Sequence, residues 1–473
     1  MTKRTQRRFR RTVKRLTAGL IALHSIMFAL PTGAEPAVRT ESPPASGQPS
    51  ASGAEPYATT ARSDGYNLVF PVISDIHIGR GGKAETKFED ALKQINRVAP
   101  RYDAMASVGD LTNDGTAAQY DTFMSLYNRY RQPDAEHLLA IGNHDYWDYP
   151  KPVNARKQFV DKTGMPDIYY DKWINGYHFI VIGSESKVIG GKLSDMQLKW
   201  LEERLAERAS PNRPIFVFFH QHVGGTVSGS DLWGHTHSHK RLYAALARYP
   251  QVVIFSGHSH YMLDDPRTIH QRHFTSVGTS SIRYPELEPG KAQGKHPSDD
   301  IAQGCIVYVT DDKVIVRRRD FHREDWTGED WVVSYPASRQ SFVYTDDRDR
   351  IKPVFPADAK ASVVPNSVRA TTAELVFGQA TDNLFVHAYD IEVRRPGSRK
   401  TMKLSAFSEF YKHPAPSSIT VKLKGLMPEQ NYTASIYAVD SFGNRSDKPL
   451  AVSFRTQALA KTQADRISKL LSL

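Results

Sequence analysis

The chain has one cysteine, Cys305, in 473 residues. No disulfide can form within it, and export would not require one. Cys305 sits in the apolar run Cys305-Ile306-Val307-Tyr308-Val309 and reads as a small buried residue rather than a nucleophile. Also missing is any apolar run of the roughly 20 residues that a membrane span needs; Leu16–Leu30 is too short and too polar. No internal repeat is present. Acidic residues are absent from residues 1–34, which carry eight Lys and Arg. Without that segment, 54 basic face 51 acidic side chains, so the formal charge falls from +11 to +3. The basic pI is thus mostly local, and gives no strong electrostatic case for a nucleic-acid partner.

The basic start, the apolar stretch and the small residues Thr32 and Ala34 at −3 and −1 predict a signal peptide over 1–34. No cysteine follows to carry a lipid anchor, and the alternative is an uncleaved anchor. The expected location is secreted or cell-wall associated, with no membrane span after cleavage. Residues 35–65, rich in Ala, Pro, Ser and Gly, predict a disordered linker.

From 66 to 335, strand-like runs alternate with helical patterns, which predicts one α/β layered domain. Strands are expected at Asn67–Ser74, Ala104–Val108, His137–Ile141, Phe179–Ile182, Pro214–Phe219 and Val252–Phe255. Helices are expected at Lys87–Val98, Ala117–Arg131, Ser194–Ala209 and His239–Arg248. Ser194 and Gln197 have capping-box spacing. After a connector at 336–357, residues 358–457 are strand-like, and 458–473 form a tail. Tyr432, Ala434, Ile436 and Ala438 alternate onto one face before the turn Asp440–Asn444.

Five motifs each end an apolar run: Asp75-Ile-His77, Gly109-Asp110, Gly142-Asn143-His144-Asp145, His220, and Gly257-His258-Ser-His260. Imidazole and carboxylate suit first-row divalent metals with exchangeable water. In extended chain, residues two apart share a side, so Asp75 with His77, and His258 with His260, converge. The glycines at 109, 142 and 257 are read as letting the backbone turn sharply. Asp110 can bridge two ions through its two oxygens, and such ions clamp a phosphate. Asn143 adds a neutral oxygen. Gly234-His235-Thr-His237 repeats the last pattern but follows no strand-like run. It is set aside, with His239, as a polar loop or a lining of the site mouth.

This series resembles the calcineurin-like metallophosphoesterase family, over roughly residues 67–335. The resemblance implies a four-layer α/β/β/α sandwich and two divalent or trivalent ions, with Mn, Fe or Zn expected. It implies Asp75, His77, Asp110 and His260 at one ion, and Asp110, Asn143, His220 and His258 at the other. A metal-bridging hydroxide would attack phosphorus. His144 would protonate the leaving oxygen or stabilise its charge, oriented by Asp145, or would be structural. Asn143 and His222 are candidate substrate contacts. The family usually has Pro after the strand-end His; Gln221-His222-Val223 stands here, leaving the loop shape open.

The last hundred residues resemble a fibronectin type III domain, on Leu426, Pro428, Tyr432, Ala438, Asp440, Gly443, Asn444 and Ser446. That implies a small all-β sandwich, packed on the first domain or touching cell wall or polymer. The implied function is hydrolysis of phosphate esters, with phosphodiesters such as cyclic or linear nucleotides favoured. Asn113 and Asp114 stand where the purple acid phosphatase branch wants a ligand Tyr. The alternatives are a phosphomonoesterase, or a surface-binding module with a silent metal domain.

Overall fold

The computed structural model describes residues 62–81, 83–149, 151–288 and 300–459. The signal peptide, nearly all of the linker and most of the tail lie outside the described residues. Packing begins slightly before Tyr66: Arg62 is buried and donates to Asp103 at 2.7 Å and to the Arg101 carbonyl at 2.7 Å.

The first layer pair is built from β1 (Leu68–Ile73), α1 (Ala84–Val98), β2 (Ala104–Val108), α2 (Ala117–Tyr130), β3 (Glu136–Ala140) and α3 (Pro152–Thr163). A second follows with β4 (Tyr170–Ile174), β5 (Tyr177–Val181), α4 (Asp195–Ala206), β6 (Ile215–Phe218), α5 (His239–Leu246) and β7 (Val252–Ser256). Then come β8 (Ile269–Gln271), β9 (Thr275–Gly278), β10 (Gln303–Val309), β11 (Lys313–Asp320), β12 (Asp325–Trp326) and β13 (Trp331–Ser334). One sheet runs β12-β11-β10-β1-β2-β3, with β13 also on β11; the other runs β4-β5-β6-β7-β9-β8. β1, β2 and β3 are parallel, as are β5, β6, β7 and β9.

Side-chain alternation explains the layering. Leu68, Phe70 and Val72 meet Phe179, Phe216, Phe218 and Phe255 between the sheets. Val69 and Ile73 turn outward onto Phe88, Ile95 and Phe123 of α1 and α2. Val217 and Ile254 turn outward from the second sheet onto Leu198, Leu201, Leu205 and Leu242 of α4 and α5. The result is the four-layer α/β/β/α sandwich.

The predicted helix Ser194–Ala209 is shorter, Asp195–Ala206, because Arg208 adopts φ 51°. Ser194 caps it, accepting from the Gln197 N–H at 3.1 Å. Gln197 does not return the cap; its buried amide instead pairs with both backbone groups of Gly183, at 3.1 and 2.9 Å. Helix α3 was not foreseen, since its buried positions are few: Ala155, Phe159 and Thr163.

The C-terminal strands are β14 (Ala361–Val363), β15 (Thr372–Gly378), β16 (Val386–Arg394), β17 (Thr401–Phe407), β18 (Ser418–Lys424), β19 (Asn431–Asp440) and β20 (Leu450–Arg455). They form two antiparallel sheets, β14-β15-β18 and β17-β16-β19-β20. Seven strands split three and four in this order give the fibronectin type III-like sandwich. Tyr432, Ala434, Ile436 and Ala438 of β19 all face its core. The sandwich packs on the first domain: Phe407 and Tyr411 share an apolar cluster with Met262, Leu287 and Ile301. Among the described residues, no helix is long and apolar enough to cross a membrane.

Candidate metal centre

The five motifs meet at the carboxyl ends of the strands, where α/β sheets place their sites. Asp75 follows β1, Asp110 follows β2, Asn143 follows β3, His220 follows β6, and His258 and His260 follow β7. All are buried. Asp75, His77, Asp110 and His260 offer ligand atoms within 4.8 Å of one another, and so do Asp110, His220 and His258. Asp110 belongs to both groups, so the cluster has the form of a dinuclear site.

The geometry differs from the expected bridge in one respect. Asp110 Oδ1 is taken by the His144 N–H at 2.8 Å. Oδ2 alone faces both sides, 3.8 Å from His77 Nε2 and 3.2 Å from His220 Nε2. A shared ligand here is one oxygen, not two. Asp75 is held differently. The His258 N–H donates to both its oxygens, at 3.0 Å to Oδ2 and 3.3 Å to Oδ1, and Oδ1 also lies 2.9 Å from His260 Nε2 and 3.9 Å from His77 Nε2.

The loops carrying these groups are strained. Asp75, His77, Asp110, His258 and His260 all have φ between 49° and 68°. Non-glycine residues there cost about 1–3 kcal/mol each and persist only where the surroundings enforce them. The enforcement is visible: the Ile76 and His77 N–H groups both donate to the Asp110 carbonyl at 3.0 Å, and Asp75 N–H to the Gly109 carbonyl at 3.1 Å. Gly109 has φ 84° and so meets the expected turn requirement. Gly142 and Gly257 do not; their glycine is a matter of room. A Cβ at Gly142 would lie 2.1 Å from Asp110 Oδ1, and one at Gly257 would lie 2.3 Å from Asp75 Oδ2.

Electrostatically, the cluster is a set of acids and imidazoles holding one another's charge. Burial alone would raise the Asp75 carboxyl, but His260 and His220 hold it at about 2. Burial opposes charge on His220 too, yet Asp110 and Asp75 raise it to about 9. Burial lowers His77 and His258 well below the usual imidazole range. Among the expected ligands, three buried polar atoms have no hydrogen-bond partner: His77 Nδ1, Asn143 Oδ1 and His258 Nε2. An unpaired amide oxygen in a buried acid–imidazole cluster fits a cation better than it fits an apolar core. Two ring orientations are fixed from behind, His220 Nδ1 by the Val108 carbonyl and His260 Nδ1 by the Tyr284 carbonyl, each at 2.9 Å. Such partners set which nitrogen faces a metal.

Two expectations are corrected. Asp145 does not orient His144. Its carboxylate accepts from the Gly142 N–H at 2.9 Å, the Thr112 N–H at 3.0 Å and the Thr112 hydroxyl at 2.6 Å, tying the β3 loop to the β2 loop. Burial and the nearby Asp110 raise it to about 6. His144 Nδ1 instead pairs with the Asn113 carbonyl at 2.8 Å. His222 is not free to touch substrate. Both its nitrogens are occupied, by Ser256 and Ser259 hydroxyls at 2.7 Å each. Burial lowers its imidazole to about 3.

The second Gly-His-x-His is a loop, pairing His235 with His222 by a strand-like bridge. His237 and His239 line a separate cavity of about 830 Å³ with Arg156 and Arg241. Yet the loop reaches the centre through Trp233, whose ring packs 5.0 Å from His258. On the other side Trp147, 47% exposed, packs on His144, and Tyr284 packs 4.3 Å from His260 beneath Arg80. None of these four was foreseen. Tyr284 and Arg80 carry no motif, and the two tryptophans are adjacent to motifs without being part of them.

Comparison with known proteins follows the same residues. The family described as calcineurin-like phosphoesterase matches residues 69–262. A probable cyclic nucleotide phosphodiesterase of Synechococcus is 30% identical over 206 residues, 42% of this chain and 75% of that protein. A probable glycerophosphodiester phosphodiesterase of Arcobacter nitrofigilis is 26% identical over 206 residues, 41% of this chain and 72% of that one. The 3′,5′-cyclic adenosine monophosphate phosphodiesterase of Escherichia coli K12 is 27% identical over 184 residues, 37% of this chain and 61% of its own length.

Proposed function

The chain belongs to the calcineurin-like phosphoesterase family, and from that premise we propose that it hydrolyses phosphodiesters, cyclic or linear nucleotides or related esters, at a two-metal centre. The observation that carries this reading is the pair of donor groups sharing Asp110 Oδ2. The names of the relatives, all phosphodiesterases, support the diester over the monoester. Asn113 supports it too, since it offers no phenolate for a purple acid phosphatase centre.

Asp75, His77, Asp110 and His260 would hold one ion, and Asp110, Asn143, His220 and His258 the other. When bound, such ions polarise the phosphoryl oxygens and activate a water for in-line attack. The protein's part is placement and proton supply. The backbone N–H of His144 holds Asp110 by its outer oxygen, and that of His258 holds Asp75. His144 Nδ1 is committed to the Asn113 carbonyl, so a proton for the leaving oxygen comes from Nε2 of the imidazolium. The unpaired Asn143 oxygen adds a donor without adding negative charge beside an anionic substrate.

Export with removal of residues 1–34 belongs to the same proposal, supported by their basic-then-apolar pattern. N-terminal sequencing of protein recovered outside the cytoplasm tests it; a start at Met1 counts against cleavage.

The activity test uses Mn²⁺-loaded protein with bis(p-nitrophenyl) phosphate, p-nitrophenyl phosphate, 3′,5′-cyclic nucleotides and glycerophosphodiesters. The reading expects higher kcat/KM on diesters. Preference for the monoester would replace it with a phosphatase, and no hydrolysis of any ester would leave the metal domain silent.

A further inference from the structure

A second group of acids lies far along the chain from the metal centre, where the connector reaches the sandwich. We propose that Asp349, Asp382 and Asp440 bind a calcium ion there. Asp349 belongs to the connector, Asp382 follows β15 and Asp440 ends β19. One oxygen from each lies within 4.8 Å of the others. That spacing fits a common ion, since Ca²⁺–oxygen distances of about 2.3–2.6 Å put opposite ligands about 4.6–5.2 Å apart and adjacent ones closer.

The carboxylates are held for the purpose by their other contacts. Asp349 Oδ1 accepts from the Ile351 N–H at 3.0 Å and from Asn383 at 3.3 Å. Asp382 Oδ2 accepts from the Leu384 and Phe385 N–H groups at 2.9 and 2.8 Å. Asp440 Oδ1 accepts from the Phe442 and Asn444 N–H groups at 2.9 and 2.8 Å. Each thus has one oxygen tied to the protein around it. Of the remaining three, Asp349 Oδ2 and Asp382 Oδ1 are buried and have no partner, and Asp440 Oδ2 meets only Asn444, at 2.6 Å. Asp349 is 4% exposed.

A buried carboxylate oxygen with nothing to accept from, facing two other carboxylates, is a costly arrangement without a cation. Among the described residues no Lys, Arg or His nitrogen forms an ion pair with any of the three. The adjacent Arg348 turns its guanidinium onto the rings of Phe442 and Tyr344, at 4.8 and 5.4 Å. The contrast with a nearby acidic cluster is direct. Asp265, Glu288 and His387 also converge, but the Arg267 guanidinium fills their centre at 2.5, 2.6 and 3.2 Å. Burial, with Asp349 and Asp382 close by, raises the Asp440 carboxyl. The donors are all oxygen, which favours a hard cation, and the loops that carry them favour the flexible shell of Ca²⁺ over octahedral Mg²⁺. The ion would fasten the connector to two loops at one end of the sandwich.

The test uses the full chain carrying Asp110→Ala, so that the catalytic centre competes poorly for metal. After chelation, ⁴⁵Ca²⁺ equilibrium dialysis should give one ion per chain, half-saturating at about 10⁻⁴–10⁻³ M as in extracellular calcium modules. Added Ca²⁺ should raise the melting temperature of this protein and of the wild type. Asp382→Asn in the same background keeps an oxygen for the Leu384 and Phe385 N–H groups. It should weaken Ca²⁺ binding at least about tenfold and abolish the melting shift. Absence of bound Ca²⁺ in the parent, equal binding by the Asp382→Asn protein, or Mg²⁺ binding as tightly as Ca²⁺ would each overturn the assignment.

Discussion

At the scale of single residues, Asp110 does the most. Its Oδ2 faces both donor groups, and its Oδ1 fixes the chain at His144. Asp110→Ala should therefore reduce metal content at both positions. It should cut kcat/KM beyond the roughly 10–100-fold that outer partners of a metal site command. Elemental analysis beside an ester assay checks this; unchanged metal content would refute the shared-ligand reading. His144→Ala should keep both ions and slow esters with poor leaving groups by about 10²–10⁴, the usual contribution of a positioned acid. Activated nitrophenyl esters should be slowed much less, and equal losses on the two would exclude the acid role.

Which residues meet was legible in the sequence, because metal-ligand residue types stand at the ends of successive apolar runs, although the backbone at Asp75, His77, His258 and His260 is left-handed rather than extended. Which atoms meet was not. Asp145 follows His144 in sequence, but its carboxylate turns back to Gly142 and Thr112. His222 repeats the spacing of a ligand but is consumed by Ser256 and Ser259. Partners of that kind come from other loops, and no local pattern names them.

At the scale of elements, continuous apolar runs identified the strands that carry the site, because strands buried on both faces are nearly all apolar. β1 and β6 are examples. The edge strand β4 has half-buried positions in its middle, two of them the charged Asp171 and Lys172, and gave no such signal. Helix α4 shows how a correct motif can have an unexpected partner. Ser194→Ala should cost about 0.5–2 kcal/mol, the value of an N-cap. Gln197→Ala should cost about 1–3 kcal/mol, because it leaves the buried N–H and C=O of Gly183 without their partner. Urea unfolding of the two variants separates the readings. If Gln197 acted only as the reciprocal half of a capping box, its substitution would cost no more than that of Ser194.

At the scale of the molecule, the sandwich is attached to the segment that leaves the metal centre. His260 is followed by Met262, which packs with Phe407 and Tyr411, and by Asp264, which pairs with His413 at 2.9 Å. Beyond them, Arg267 joins Asp265 and Glu288 of the first domain to His387 of β16. Burial would raise the Glu288 carboxyl, but His387 and Arg267 outweigh it and hold the group well below the usual carboxylate range. A carboxyl depressed in the folded state contributes stability above its unfolded pKa and loses it only as pH falls through the lower folded value. The junction should therefore hold from neutral pH down through pH ~5. Arg267→Ala removes the cation between the buried Asp265 and the half-buried Glu288. It should cost about 3–5 kcal/mol at pH 7, as when one partner of a buried ion pair is deleted. Part of that loss should return on acidification, because Glu288 without Arg267 is held less firmly in its charged form. Calorimetry of the two proteins at pH 7 and pH 5 measures both effects. A variant within about 0.5 kcal/mol of the wild type at pH 7 would show that the Arg267 cluster does not hold the sandwich to the catalytic domain.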